Sequence, residues 1–211
     1  MLKKYVLAAT AVLVLAMNTF PLSLAMADDR TTCMKESADI AITACGNAIA
    51  SGKYKGSQLA VLFFNRGLEY DKLSQFDRAI SDYDEAIRLD PIKGGSDIIG
   101  DGFNNRCNSL RKKGEHGLAM ADCNQAIRLN PKHPRAYSIR GVIHMSQGKY
   151  ELAIADFDQA IRIDRKFAFA IYGRGIAKQK SGDMAGGNAD ISRAKAIEAD
   201  IEKVYALYGA K

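Results

Sequence analysis

The sequence predicts an all-α solenoid of helix-turn-helix units, on three observations. One segment recurs: AISDYDEAIRLDP at residues 79–91, AMADCNQAIRLNP at 119–131, AIADFDQAIRIDR at 153–165, and a worn copy, GNADISRAKAIEA, at 187–199. The copies step by 40, 34 and 34 residues along the 211-residue chain. Each is preceded by a second helical pattern, with apolar residues three and four positions apart. A fixed period of this size marks one supersecondary unit stacked on itself, because no single unit can bury its apolar face alone.

The units follow in order. Residues 28–59 form an N-terminal half repeat, in which AITACGNAIASGK (41–53) resembles a second helix without a proper first one. In the first full unit, 60–93, Phe63, Gly67 and Tyr70 share one helix face. Leu73-Ser74-Gln75 breaks that run, Ala79, Tyr83, Ala86 and Ile87 rebuild an apolar face, and Asp90-Pro91 ends it. Residues 94–99 (GGSDII) are an insertion, expected to form a longer loop. The second and third units cover 100–133 and 134–167, and a degenerate fourth covers 168–200, with Lys178 at the Tyr place and Gly187 at the Ala place. Gly114, Gly148 and Gly182 stand where the first unit has Ser74, which suits a turn of positive φ. In 201–211, Ile201, Val204, Tyr205 and Tyr208 suggest a short closing helix. End units of solenoids are atypical because their outer face meets water.

Within a unit, small residues on both helices (Gly67, Gly141 and Gly175; Ala79, Ala119 and Ala153) allow close approach. Phe63, Phe103, Tyr137, Tyr83 and Phe157 fill the space beside that contact. This pattern resembles the tetratricopeptide repeat, a 34-residue helix-turn-helix with a large-small-Tyr signature followed by Ala, an aromatic, Ala and Pro. The resemblance implies a right-handed solenoid of about four units, with the half repeat before it and a capping helix after it. It also implies a protein or peptide partner held in the concave groove lined by the first helices. By place in the repeat, the groove positions are Phe64, Leu68 and Asp71, then Asn104, Asn108 and Arg111, then Arg135, Ser138 and Val142, then Phe169, Tyr172 and Ile176. Asn104 and Asn108 are placed to bond a peptide backbone, and Arg111 or Arg135 to take an acidic group. The Lys/Asn/Arg set by which some family members grip a terminal carboxylate is not reproduced, since Ile139 and Phe169 occupy polar places of that set.

A charged ladder runs through the units. Arg66, Arg106, Arg140 and Arg174 recur at one place, and sixteen residues after each comes an acid: Asp82, Asp122, Asp156 and Asp190. Guanidinium and carboxylate bond bidentately, which suits a partly buried site. The arginines read either as a row for acidic ligands or as a structural ladder that fixes helix register. The second reading is favoured, because each arginine has its own acid.

The first 27 residues carry Lys3 and Lys4, an apolar stretch to Met17, then Ala25-Met26-Ala27 before Asp28. This is the pattern of a secretory signal peptide cleaved after Ala27, and it places the mature protein in the periplasm or outside the cell. Removing the leader takes away two lysines and no acid, so the formal charge falls from +6 to +4. That balance, with no basic run interleaved with aromatics, argues against nucleic acid as a partner. After cleavage no stretch remains that spans a membrane. Four cysteines in an oxidising compartment allow three pairings. Cys107 and Cys123 occupy facing places in one hairpin, which favours that bridge and leaves Cys33 with Cys45. The alternative is four free, buried thiols. His116, His133 and His144 have no metal spacing, no nucleophile and base lie at suggestive spacing, and no cofactor motif occurs. The expected function is a non-catalytic, exported scaffold for a protein or peptide, in envelope assembly or chaperoning. The rivals are a self-associating structural solenoid and an accessory subunit of an envelope enzyme.

Overall fold

The structure is a computed structural model and describes residues 28–90 and 98–207. The leader at 1–27, residues 94–97 of the insertion and Tyr208 lie outside the described residues, whereas Ile98 and Ile99, expected in that loop, instead open the helix Ile98–Lys112. Among these residues the chain is all-helical, with eleven helices and no strand. They pair as successive hairpins: α1 (Asp29–Lys35) with α2 (Ala38–Ala50), α3 (Ser57–Lys72) with α4 (Phe76–Leu89), and α5 (Ile98–Lys112) with α6 (His116–Leu129). α7 (Pro134–Ser146) pairs with α8 (Tyr150–Ile163) and α9 (Ala168–Ser181) with α10 (Met184–Ile197), and α11 (Ile201–Leu207) ends the series.

The turn inside each full hairpin is one left-handed residue, with φ of 58° at Ser74, 83° at Gly114, 71° at Gly148 and 101° at Gly182. Glycine adopts this conformation at little steric cost, whereas Ser74 holds it against its own Cβ. Each second helix packs on its own first helix and also on the first helix of the next unit, so the hairpins stack. The first helices meet one another in turn, α3 with α5, α5 with α7 and α7 with α9, and α11 closes onto α9. They form one inner layer, with α4, α6, α8 and α10 outside it.

The close approach inside each hairpin follows from a glycine opposite a bulky side chain. A Cβ on Gly67 would stand 2.8 Å from the Tyr83 ring, and one on Gly141 would stand 3.1 Å from the Phe157 ring. In the second hairpin the corresponding residues are Cys107 and Cys123, whose sulfurs lie 2.13 Å apart. Cys33 of α1 and Cys45 of α2 are likewise at bonding distance, 2.09 Å. All four side chains are buried. The fourth hairpin is tightest, because a Cβ on Gly175 would meet the Gly187 carbonyl oxygen at 2.9 Å and the Ile191 nitrogen at 3.1 Å. Backbone atoms cannot rotate away as a side chain can. Gly175→Ala is therefore expected to lower the urea midpoint, overpacking of about 1–3 kcal/mol outweighing a helix-propensity gain of about 1 kcal/mol. A raised midpoint would show that α9 and α10 can separate without loss.

Candidate functional site

The ladder side chains project from the first helices toward the second helices of their own hairpins, because residues sixteen apart face each other across the antiparallel turn. Each arginine grips its acid with two nitrogens. Nε and Nη2 donate to the two carboxylate oxygens at 2.8 and 2.7 Å for Arg66–Asp82 and at 2.6 and 2.7 Å for Arg106–Asp122. The same pair of bonds measures 3.0 and 2.6 Å for Arg140–Asp156 and 2.8 and 2.6 Å for Arg174–Asp190. All four acids are buried. The hydrogen bond that it donates to its own acid, more than any other influence, holds each guanidinium above its ordinary pKa, against the opposing pull of burial. Burial works against ionised Asp190, yet the bonds from Arg174 and Lys178 outweigh it and keep its pKa below the usual carboxylate value. Three guanidinium groups also stack on the aromatic ring three residues before them: Phe63, Phe103 and Tyr137, at 5.4, 5.2 and 5.6 Å.

The third nitrogen leaves the hairpin. Nη1 of Arg106 donates to Asp84, that of Arg140 to Asn124 at 2.7 Å, and that of Arg174 to Asp158 at 2.6 Å. Each acceptor lies two residues after the ladder acid of the preceding hairpin. The sequence reading missed these residues. The signal was available as a constant offset, stretched from 16 to 22 residues at Asp84 by the insertion. At the N-terminal end that place belongs to Gly46, whose Cβ would lie 3.8 Å from Arg66 Nη1. Gly46→Asp is expected to raise the melting temperature, adding the missing acceptor and removing a mid-helix glycine, by about 0.5–1 kcal/mol together. Gly46→Asn, which supplies a neutral acceptor, should raise it less; a fall with Gly46→Asp would remove the rung from the account.

The inner layer encloses a cavity of about 190 Å³ between α5, α7, the start of α9 and α11. Its polar side is Asn104, Asn105, Asn108, Arg135 and Ser138, and its apolar side Ile139, Phe167, Phe169 and Val204, with Glu198 at the rim. Thus Asn104, Asn108, Arg135 and Ser138 come together as groove residues. Arg111 lies beneath them, buried, with Nη2 donating to Asn108 Oδ1 at 3.0 Å. Ser138 is turned inward, its hydroxyl donating to the Pro134 carbonyl at 3.1 Å. Phe64 and Leu68 lie outside the cavity, half-buried, Phe64 with its ring 5.9 Å from that of Tyr83. Tyr172 faces Tyr205 at 5.1 Å. Asn105, Phe167, Glu198 and Val204 were not read as groove residues from the sequence, Val204 being assigned only to the closing helix, because they come from off-register and inter-unit positions. Asn104 is 3% exposed and gives its amide nitrogen to Asn105 at 3.3 Å, while its Oδ1 is buried without a hydrogen-bond partner among the described residues.

The tetratricopeptide repeat profile matches residues 60–92 and 134–167, and a second profile of that description matches 104–133. These segments are tetratricopeptide repeats. Over 80 residues the chain is 31% identical to the mitochondrial import receptor subunit TOM70 of Rattus norvegicus, which covers 38% of this chain and only 13% of that relative. A crystal structure of MamA superposes with a TM-score of 0.62 at 20% identity, covering 78% of this chain and 91% of the other. The first tetratricopeptide domain of Spaghetti (RPAP3), bound to the HSP90 peptide SRMEEVD, matches with a TM-score of 0.54 at 26% identity, covering 59% of this chain and 96% of that one. The tetratricopeptide hairpins thus supply an inner layer with a cavity between their first helices. Among the described residues no helix is long and apolar enough to cross a membrane.

Proposed function

We propose that the protein is a non-catalytic scaffold, exported and disulfide-bonded, that binds an extended segment of a partner protein in the groove of its inner layer. The observation that carries this reading is the buried Asn104 oxygen without a partner at the wall of the cavity. A buried acceptor left unpaired is costly, and rotation of the amide into the cavity would let the backbone N–H of an extended peptide satisfy it. Arg135, exposed at the cavity wall, suits an acidic group of that segment, and Phe167 and Phe169 suit an apolar side chain. The peptide held by the similar RPAP3 repeat domain is likewise acidic and carries one Met. Export is supported by the leader pattern of residues 1–27 and by the two cysteine pairs at bonding distance. A role in envelope assembly or chaperoning belongs to the same proposal.

The test is affinity capture from envelope extract with the protein and with an Arg135→Glu/Phe167→Asp variant, folding being checked by circular dichroism. Arg135 is exposed and Phe167 half-buried against Phe169, so an Arg135→Glu single variant runs beside the double one as a milder change. A partner retained by the unaltered protein and lost by the double variant supports the groove. Equal retention places binding elsewhere, and a concentration-dependent mass without any partner favours the self-associating solenoid.

A further inference from the structure

The apolar end of the groove is already filled by the chain itself. α11 has seven residues, too few to remain helical unaided in water. Tyr205 is nevertheless 2% exposed, its ring centred 4.8 Å from that of Phe169 and 5.1 Å from that of Tyr172. Its hydroxyl reaches the backbone of α9, since a Cβ on Gly173 would stand 3.0 Å from it. There the hydroxyl is buried with no hydrogen-bond partner among the described residues. Val204, beside it, forms part of the wall of the cavity that holds Asn104. The docking of α11 therefore combines a strong attraction with a built-in fault. Apolar burial of Ile201 and Tyr205 drives it, and the orphan hydroxyl opposes it. The ion pairs Lys195–Glu202 and Lys203–Asp200 sit between exposed side chains and add little.

We propose that α11 is a displaceable stand-in for a helical stretch of that partner, continuous with the extended part held at Asn104 and Arg135, which takes its seat on Phe169 and Tyr172 with apolar residues at the spacing of Ile201, Val204 and Tyr205 and no hydroxyl at the Tyr205 place. This rests on the groove-binding reading and adds the regulation of that site. A second copy is the weaker occupant on physical grounds. Its Tyr205 brings the same unpaired hydroxyl, and it lacks the effective concentration that the tether gives α11. A segment ending in Phe or Leu has the better fit and can overcome that tether.

The probe is a fluorescein-labelled peptide of residues 199–207 carrying Tyr205→Phe, followed by fluorescence anisotropy with the full protein. The Tyr205→Ala protein is expected to bind it at least about tenfold more tightly than the unaltered protein, which has its own occupant in place. A Phe169→Ala/Tyr205→Ala protein should lose that gain. In the unaltered protein, α11 amides should exchange about 100-fold faster than those of α9, reporting local opening. The proposal is overturned if the folded Tyr205→Ala protein ignores the peptide, or if α11 exchanges only with global unfolding. It is also overturned if the unaltered protein dimerises through α11, which would assign the seat to a second copy. No captured partner is needed here. A peptide that binds while capture fails sinks only the scaffold reading, and capture lost by Arg135→Glu/Phe167→Asp while the peptide fails sinks only the stand-in.

Discussion

Asp156→Ala is expected to lower the melting temperature far more than Asp84→Ala. Asp156 is 5% exposed and takes both Nε and Nη2 of Arg140, with His144 Nε2 at 3.7 Å. Removing it leaves a partly buried guanidinium with only Asn124 and the Tyr137 ring. Breaking such a pair costs about 3 kcal/mol, or roughly 6–12 °C for a domain of this size. Asp84 has a side chain 53% exposed, and its partner Arg106 keeps both bonds to Asp122. An exposed pair of that kind is worth about 0–1 kcal/mol. Arg140→Leu/Asp156→Leu should recover much of the loss, because the penalty lies in the stranded charge and not in the missing attraction. Thermal melts followed by circular dichroism decide the matter, and equal small shifts in Asp156→Ala and Asp84→Ala would remove the ladder from the stability of the fold.

Loss of the Cys107–Cys123 bridge is the second large effect. It closes a loop of 16 residues in the hairpin that carries Asn104 and Asn108, and a bridge of that span contributes about 3 kcal/mol. Cys107→Ser/Cys123→Ser is expected to lower the urea midpoint by the corresponding amount. Cys107→Gly/Cys123→Tyr copies the Gly67–Tyr83 contact of the first unit and should recover part of the loss. Its midpoint should also respond less to dithiothreitol than that of the unaltered protein, leaving only the Cys33–Cys45 bridge to reduce. If the Gly/Tyr exchange is no better than the Ser/Ser exchange, the bridge is more than a covalent replacement of the aromatic contact.

The units were legible because their packing is written twice in each, once as Gly67 with Tyr83 and once as Arg66 with Asp82, at one constant separation. The positive φ at Gly114, Gly148 and Gly182 was legible for the same reason. α1 was not, because Asp29–Lys35 is short and presents little apolar periodicity beyond Cys33, so its helicity comes from tertiary contact. The polar half of the cavity followed from place in the repeat. Its apolar half did not, because Phe167 precedes a helix and Val204 arrives from α11. The pattern of Ile201, Val204 and Tyr205 identifies an apolar face without saying which surface receives it, and only the fold brings Tyr205 to Phe169.

The rungs between units are not all alike. Asp84 and Asp158 meet Arg106 and Arg174 with a full negative charge, whereas Asn124 meets Arg140 with a neutral amide. α6 and α7 also touch over less of their length than the other successive helices around them. In a linear array, cooperativity depends on nearest-neighbour coupling, so this weaker rung makes a seam between the second and third units. The cavity walls formed by α5 and α7 lie on either side of that seam. A ligand spanning Asn104 and Arg135 would therefore cross that seam and add a link between the second and third units.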